Sequence, residues 1–171
     1  MTVRRPESRN DAEFTPAQVA AITGVSVVLQ RDWRRRGYLS SSSDGKHNRY
    51  GLRDVCLIYA LRAFSDTGLG PRFVYEMDIP AIGNDFKHVV SRIGDYINGD
   101  RSPESRFAVF DRGSLTMFSN LADYGSFREI PGNSLPVSII FDCKHAADVI
   151  VRALDPDRDH SGKVIPDGIK E

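Results

Sequence analysis

The local signals that decide the fold lie in residues 14–39, which read FTPAQVAAITGVSVVLQRDWRRRGYL. Thr15, with Pro16 after it and a glutamine three positions further on, forms the capping-box pattern that begins a helix. Gly24 is suited to end that helix, and Ser26 is suited to cap a second one. The sequence therefore predicts two short helices joined by a tight turn.

The second helix is expected to face the core on one side. Leu29 and Trp33 are four residues apart, which places both on the inward face of a helix. Gly37 can adopt the left-handed conformation that closes helices. A loop rich in serine, aspartate and glycine follows over residues 40–45, and residues 46–50 are predicted to return as a short extended segment with the shape of a wing.

Two more helices are predicted downstream. Apolar residues recur with helical spacing from Leu52 and predict a third helix that ends near Gly68. The most strongly amphipathic pattern of the chain comes after it and predicts a helix of about four turns. Its apolar side packs either on its own domain or on a second copy of the chain, which makes it a candidate dimer interface. The residues of this apolar side are Ile82, Phe86, Val89, Val90, Ile93 and Ile97.

The last third of the chain has a mixed pattern. Residues 107–110 and 115–118 flank a turn and predict a β-hairpin. Residues 137–141 predict a further strand, and residues 144–154 predict a helix because their apolar residues have helical spacing. A small domain of strands and helices is therefore expected here.

Charge is unevenly distributed along the chain. The formal net charge is zero, yet residues 31–53 contain seven lysines and arginines against two acidic residues. A solvated helix face can have this composition, but here the charges coincide with the predicted helix pair. Such a basic cluster is typical of a surface that binds phosphate groups.

Several function classes lack support in the sequence. No apolar run has the roughly 18 residues that a membrane-spanning helix needs, so we expect no membrane partner and a cytoplasmic, nucleoid-associated protein. Cys56 and Cys143 lack the spacing of zinc ligands and are expected to be buried thiols. A glycine-rich phosphate loop, a nucleophile elbow and a pair of catalytic carboxylates are not found in the sequence. We therefore predict neither an enzyme nor a bound metal or cofactor.

An ordered set of features in the first third of the chain resembles the MerR-type winged helix-turn-helix family. Gln30 stands where that family usually has leucine, and the long dimer-forming helix of the family is not present as such. The features that carry the resemblance are Phe14-Thr15-Pro16, Gly24-Val25-Ser26, Arg31, Trp33, Gly37-Tyr38-Leu39, Arg49-Tyr50 and Asp54-Val55.

The resemblance completes the predicted organisation of the chain. The fold class is α+β, with an N-terminal winged helix-turn-helix, linking amphipathic helices and a small C-terminal α+β domain. The predicted divisions are a flexible arm (1–13), the MerR-like domain (14–70), a helical linker or dimerisation segment (71–100), the small α+β domain (101–154) and a disordered tail (155–171).

The resemblance also implies which residues touch DNA. The second helix would enter the major groove, where its exposed N-terminal half reaches base edges. The implied base-reading residues are Ser26, Val27, Val28, Gln30 and Arg31. The residues implied in contacts to phosphates, or at the wing, are Thr15, Arg34, Arg35, Lys46, His47, Arg49 and Tyr50.

The function expected from these features is sequence-specific binding of double-stranded DNA by a transcriptional regulator that acts as a homodimer on an operator. The predicted amphipathic helix is much shorter than the dimer-forming helix of the family. This favours repression or an architectural role over activation by DNA distortion. One alternative is a recombination or packaging accessory protein of the excisionase-like or terminase-like kind. Another is that the C-terminal domain performs the main function, by sensing a small ligand or binding a protein, and that DNA binding only localises it on DNA.

Overall fold

The computed structural model of the protein describes residues 12–39, 49–68, 70–72, 80–100, 104–111, 114–130 and 138–156, with the side chains of residues 80–85, 111 and 114 outside the description. These ranges contain both helices and strands. In chain order they are β1 (Glu13–Phe14), α1 (Pro16–Thr23), α2 (Val27–Arg35), β2 (Tyr50–Gly51), α3 (Leu52–Asp66), α4 (Pro80–Ile97), β3 (Phe107–Asp111), β4 (Ser114–Phe118), α5 (Leu121–Glu129), β5 (Ile139–Asp142) and α6 (Cys143–Leu154).

The two N-terminal helices have the predicted caps. Thr15 Oγ1 accepts a hydrogen bond from the Gln18 backbone amide at 3.3 Å, and Gln18 Oε1 accepts one from the Thr15 amide at 2.8 Å, so the capping box is confirmed. Gly24 ends α1 with a φ of 70°. Ser26 Oγ then accepts a hydrogen bond from the Leu29 amide and begins α2.

A two-stranded antiparallel sheet holds the segment before α1 against the segment before α3. Phe14 pairs with Tyr50, and Glu13 pairs with Gly51. Glu13 was expected to belong to a flexible arm, and this expectation is wrong because its backbone is part of the sheet. Residues 1–11 of that arm lie outside the described residues, as do Lys46 and His47 of the predicted wing.

The core is centred on α3. One cluster of buried side chains extends from Val19 to Ile150 and includes residues of α3, α4 and α6. The ring of Phe64 links three other elements, since its centroid lies 5.6 Å from that of Phe86, 4.6 Å from that of Phe110 and 5.7 Å from that of Phe141. Helix α4 is therefore part of the core that α3 shares with the sheet.

The C-terminal strands form an antiparallel sheet of order β4-β3-β5. The predicted hairpin is confirmed, with Phe107 opposite Phe118 and Asp111 opposite Ser114. Strand β5 pairs with the other side of β3, and α6 follows it directly. Helix α5 was not predicted. It packs on β4 through the rings of Tyr124 and Phe127, each 5.5 Å from that of Phe118.

The amphipathic helix α4 uses its apolar side inside the chain. The predicted dimer-interface residues on it have exposed fractions of 5% or less, and α4 packs against α3 and α6. The dimer-interface prediction is wrong for these residues because their apolar side chains fill the protein's own core, whereas the alternative of packing within the domain is confirmed. They are Phe86, Val89, Val90, Ile93 and Ile97. The side chain of Ile82 lies outside the description.

Candidate nucleic-acid interface

Helix α2 presents one face to the core and one to solvent. Trp33 is 3% exposed and anchors the inward face. The outward face contains Val28, Arg31 and Arg35, which are three and four residues apart and all exposed. Ser26 is exposed at the cap of this helix, and Val27 is half-buried. Four of the five predicted base-reading residues therefore retain at least partial access to solvent.

Gln30 is the exception, because its side chain is fully buried. Its Nε2 donates hydrogen bonds to the carbonyl oxygens of Pro16 at 3.0 Å and Val25 at 2.8 Å. Among the described residues, its Oε1 has no hydrogen-bond partner. The prediction that Gln30 reads bases is wrong, since its amide instead ties α2 to the start of α1 and to the turn between the two helices.

Leu29 lies at the edge of the inward face of α2, one turn before Trp33, and is only partly covered. It was expected to face the core, but 40% of it is exposed. The resemblance contained the information that was needed, because Gln30 occupies the position at which the family has its leucine. Gln30 takes the fully buried place, and the partly exposed Leu29 becomes a candidate base contact that the sequence did not indicate.

Arg34 stacks on Tyr50 and links α2 to β2. The guanidinium carbon lies 4.7 Å from the centre of the tyrosine ring, within the range of a cation–π contact. Tyr50 is 2% exposed, and burial raises the pKa of its phenol while the charges of Arg34 and Arg31 act against that rise. The prediction that Tyr50 contacts phosphate is wrong because the residue is buried. Its ring instead holds the guanidinium of Arg34 through the cation–π contact.

The arginines of α2 differ in how far their charge is balanced. Asp32 pairs with both Arg35 and Arg36, and the hydrogen bond from Arg35 contributes most to holding the pKa of Asp32 below its usual value. Arg31 is exposed and has no ion pair among the residues that the structure describes. No carboxylate in the described part of the chain neutralises its positive charge.

We use the term basic surface for Arg31, Arg34 and Arg49, three arginines that lie around Tyr50. Arg31 and Arg34 interact electrostatically with the Tyr50 phenol, and Arg49 is its exposed chain neighbour. Arg53 is exposed in the first turn of α3, where it lines a cavity of about 190 Å³ between α3 and α4. Arg53 belongs to the basic cluster of residues 31–53 but was not among the residues predicted to contact DNA.

The hydroxyl groups of Thr15 and Ser26 serve as helix caps. Thr15 Oγ1 donates to Gln18 Oε1 at 3.0 Å in addition to accepting from the Gln18 amide, so both of its hydrogen-bonding roles are used within α1. Ser26 Oγ accepts from the Leu29 amide and keeps its proton to donate. Ser26 is therefore better suited than Thr15 to contact a phosphate or a base.

Three further findings concern metal ligands, thiols and membrane-length helices in the described part of the chain. It contains no group of three or more histidine, cysteine or acidic residues that could hold a metal ion. Cys56 and Cys143 are buried free thiols, as predicted, and burial raises the pKa of each to about 12, which leaves almost no reactive thiolate at neutral pH. No helix in the same ranges is long and apolar enough to cross a membrane.

Comparison with known proteins adds no family to these observations. Neither protein-family models nor curated protein sequences match this chain. The likeness to MerR-type proteins therefore stays a resemblance, and function has to be inferred from α2 and the basic surface.

Proposed function

We propose that the chain binds double-stranded DNA through α2 and acts as a sequence-specific regulator of transcription. The observation that carries this proposal is the outward face of α2, where Val28, Leu29 and Arg31 are exposed while Gln30 and Trp33 fix the helix from behind. An α-helix is about 10–12 Å wide with its side chains, and the major groove of B-DNA is about 12 Å wide. The helix thus has a suitable size and chemistry for groove binding.

The arginines have different roles in this proposal. Arg31, in the N-terminal half of α2, is positioned to form a bidentate contact with the O6 and N7 atoms of a guanine. Arg34 and Arg49, which both lie at Tyr50, contact phosphates beside the groove, which adds affinity without sequence information. Stacking on Tyr50 holds the guanidinium of Arg34 in place before DNA arrives, which reduces the entropy lost on binding.

Pairing of two copies remains part of the proposal. A single module reads only a few base pairs, and two-fold pairing on a palindromic site is the usual way to extend recognition. Because the apolar side of α4 is buried in the chain's own core, the surface that pairs the two copies lies elsewhere. The homodimer is thus proposed without an assigned interface.

The test begins with selection of bound duplexes from a random library by the full chain, which defines a preferred site. Competition titrations at one salt concentration then compare the preferred duplex with a scrambled one. Arg31→Ala is expected to weaken binding to the preferred duplex by roughly tenfold to a hundredfold and to change binding to the scrambled duplex much less. Arg128→Ala on α5 removes the same charge from a different element and is the matched control. Failure to enrich any sequence would overturn the proposal.

Genome-wide mapping of the bound sites separates the regulator from its main alternative. A regulator of transcription is expected at promoters. A recombination or packaging accessory protein would occupy a single attachment or packaging site and no promoters.

A further inference from the structure

Helix α2 exposes two large apolar side chains in its N-terminal half. Val28 is 73% exposed and Leu29 is 40% exposed. Burial of an apolar side chain is favourable, so these two neighbouring side chains offer apolar surface to a bound partner. Other exposed large apolar residues, such as Leu121 on α5 and Ile140 on β5, lie on different elements.

The charges next to this apolar pair identify the class of partner. Arg31 is three residues after Val28 on the same face and has no balancing carboxylate among the described residues. The basic surface continues this positive charge toward β2. A partner must therefore offer negative charge and, within a few ångströms of it, small apolar groups. Duplex DNA does so in its major groove, where the apolar group at the base edges is the C5-methyl group of a pyrimidine.

We infer that Val28 and Leu29 recognise C5-methyl groups in the major groove, which makes the presence of such a methyl group a determinant of the preferred site. This inference rests on the proposed function and adds to it the chemical group that α2 reads. Neither side chain has a donor or an acceptor, so they distinguish bases by apolar contact. Thymine carries the methyl group, and 5-methylcytosine presents the same group at the same position.

The size of the effect follows from the burial of one methyl group. Removing one such group from water favours binding by about threefold to fivefold. Arg31 is expected to fix the position of α2 along the DNA by contacting a guanine or a phosphate. Each methyl contact then increases the affinity by the factor given above. A site with two such contacts would then be preferred by about ninefold to twenty-fivefold over the same site without the methyl groups.

The test replaces each thymine of the preferred duplex with deoxyuracil, which removes the methyl group and keeps both base pairing and the O4 acceptor. The wild-type chain is expected to bind at least one deoxyuracil duplex threefold to fivefold more weakly. Placing 5-methylcytosine in an otherwise unmethylated cytosine duplex at that position should recover part of the affinity. Loss on deoxyuracil together with recovery on 5-methylcytosine identifies the methyl group itself as the recognised feature.

Alanine variants test whether Val28 and Leu29 are the side chains that contact the methyl group. Val28→Ala and Leu29→Ala should each reduce the preference for thymine over deoxyuracil, and both positions are exposed enough that folding is not at stake. Leu121→Ala, at a 49% exposed residue of α5, is the matched control and should keep the full preference. Equal wild-type affinity for thymine and deoxyuracil duplexes, with sequence preference intact, overturns this inference and leaves the proposed function standing. Absence of any preferred duplex overturns the proposed function itself.

Discussion

The side-chain amide of Gln30 donates a hydrogen bond to the backbone carbonyl oxygen of Val25, 2.8 Å away. The same nitrogen donates to the carbonyl oxygen of Pro16 at the start of α1. Gln30 therefore fixes both the position of α2 against α1 and the rotation of α2 about its own axis. Because Gln30 is buried, Val28 and Arg31 face solvent on the other side of α2, and Leu29 stays partly exposed at the edge of the inward face. These three residues form the surface that we propose for DNA binding.

The first prediction concerns the role of Gln30 as a core residue. Gln30→Ala is expected to lower the free energy of unfolding by about 2–3 kcal/mol, because it leaves a cavity and two carbonyl groups without this donor. Gln30→Leu fills most of the volume and removes the unpartnered Oε1, so its effect should be smaller. Urea denaturation measures the free energy of unfolding of both variants. Folded Gln30→Leu should keep the wild-type base preference in competition titrations, and a relaxed preference at one base pair would contradict the assignment.

Local signals in the sequence predicted the elements near the interface well. The capping box at Thr15 and the left-handed Gly24 depend on residues that are close in the chain, so the bounds of α1 were predictable. The pairing of Phe14 with Tyr50 was not, because it joins residues that are far apart in the sequence. Helix α5 was missed because it is short and has a glycine at its centre, although its aromatic residues Tyr124 and Phe127 have helical spacing.

The amphipathic pattern of α4 illustrates a different limit. Its period correctly predicted a helix with one apolar side, but an apolar side can pack on the same chain or on a second copy with equal ease. Only the three-dimensional contacts with α3 and α6 decide between these possibilities. The same limit applies to Leu29, whose orientation depends on which neighbour bonds to α1.

The second prediction is that a chain ending after Gly70 does not fold. Phe64 on α3 packs against Phe86, Phe110 and Phe141, all of which this truncation removes. The exposed apolar side of α3 should then leave the fragment without a cooperative transition in thermal unfolding followed by circular dichroism. A chain ending after Pro156 keeps all the described elements and is the control. A fragment that unfolds cooperatively would show that the N-terminal helices have a sufficient core of their own.

The third prediction concerns the turn between α1 and α2. Gly24 has a φ of +70°, and a Cβ atom there would overlap Nη1 of Arg62, which donates to the Thr23 carbonyl oxygen at 3.3 Å. Gly37 has a similar φ of +80° with nothing within 4 Å of such an atom. Both alanine variants should be destabilised by about 1–2 kcal/mol from backbone strain, and Gly24→Ala by more.

Denaturation in an Arg62→Ala background isolates the close approach at Gly24. The extra destabilisation of Gly24→Ala over Gly37→Ala should disappear when the arginine is absent. If the difference persists there, the close approach of Arg62 is not its cause.

The fourth prediction concerns acid stability. Burial acts to raise the pKa of Asp142, but hydrogen bonds from Arg106 and from the His145 backbone amide outweigh it, so the pKa lies below its usual value. A lowered folded-state pKa stabilises the folded chain above the unfolded value of about 3.9, and this stabilisation is lost as the pH falls through the folded-state pKa. The stability difference between the wild type and Asp142→Asn should therefore shrink below about pH 4. Denaturant unfolding at several pH values measures this stability difference. A difference that stays constant down to low pH would contradict a stabilising ion pair between Asp142 and Arg106.

The last prediction separates charge from geometry at Arg34. Arg34→Ala should weaken binding to preferred and scrambled duplexes alike and reduce the slope of log affinity against log salt by about one, because one phosphate contact is lost. Arg34→Lys keeps the charge but replaces the planar group that stacks on Tyr50, so it should retain most of the salt slope and still lose affinity. Tyr50→Leu should reproduce the Arg34→Lys result, since it removes the ring and leaves the arginine. Titrations at several salt concentrations measure these slopes, with Arg128→Ala as the charge-matched control. A change of base preference in Arg34→Ala with an unchanged slope would mean that Arg34 contacts a base edge and that Tyr50 supports a base-reading residue.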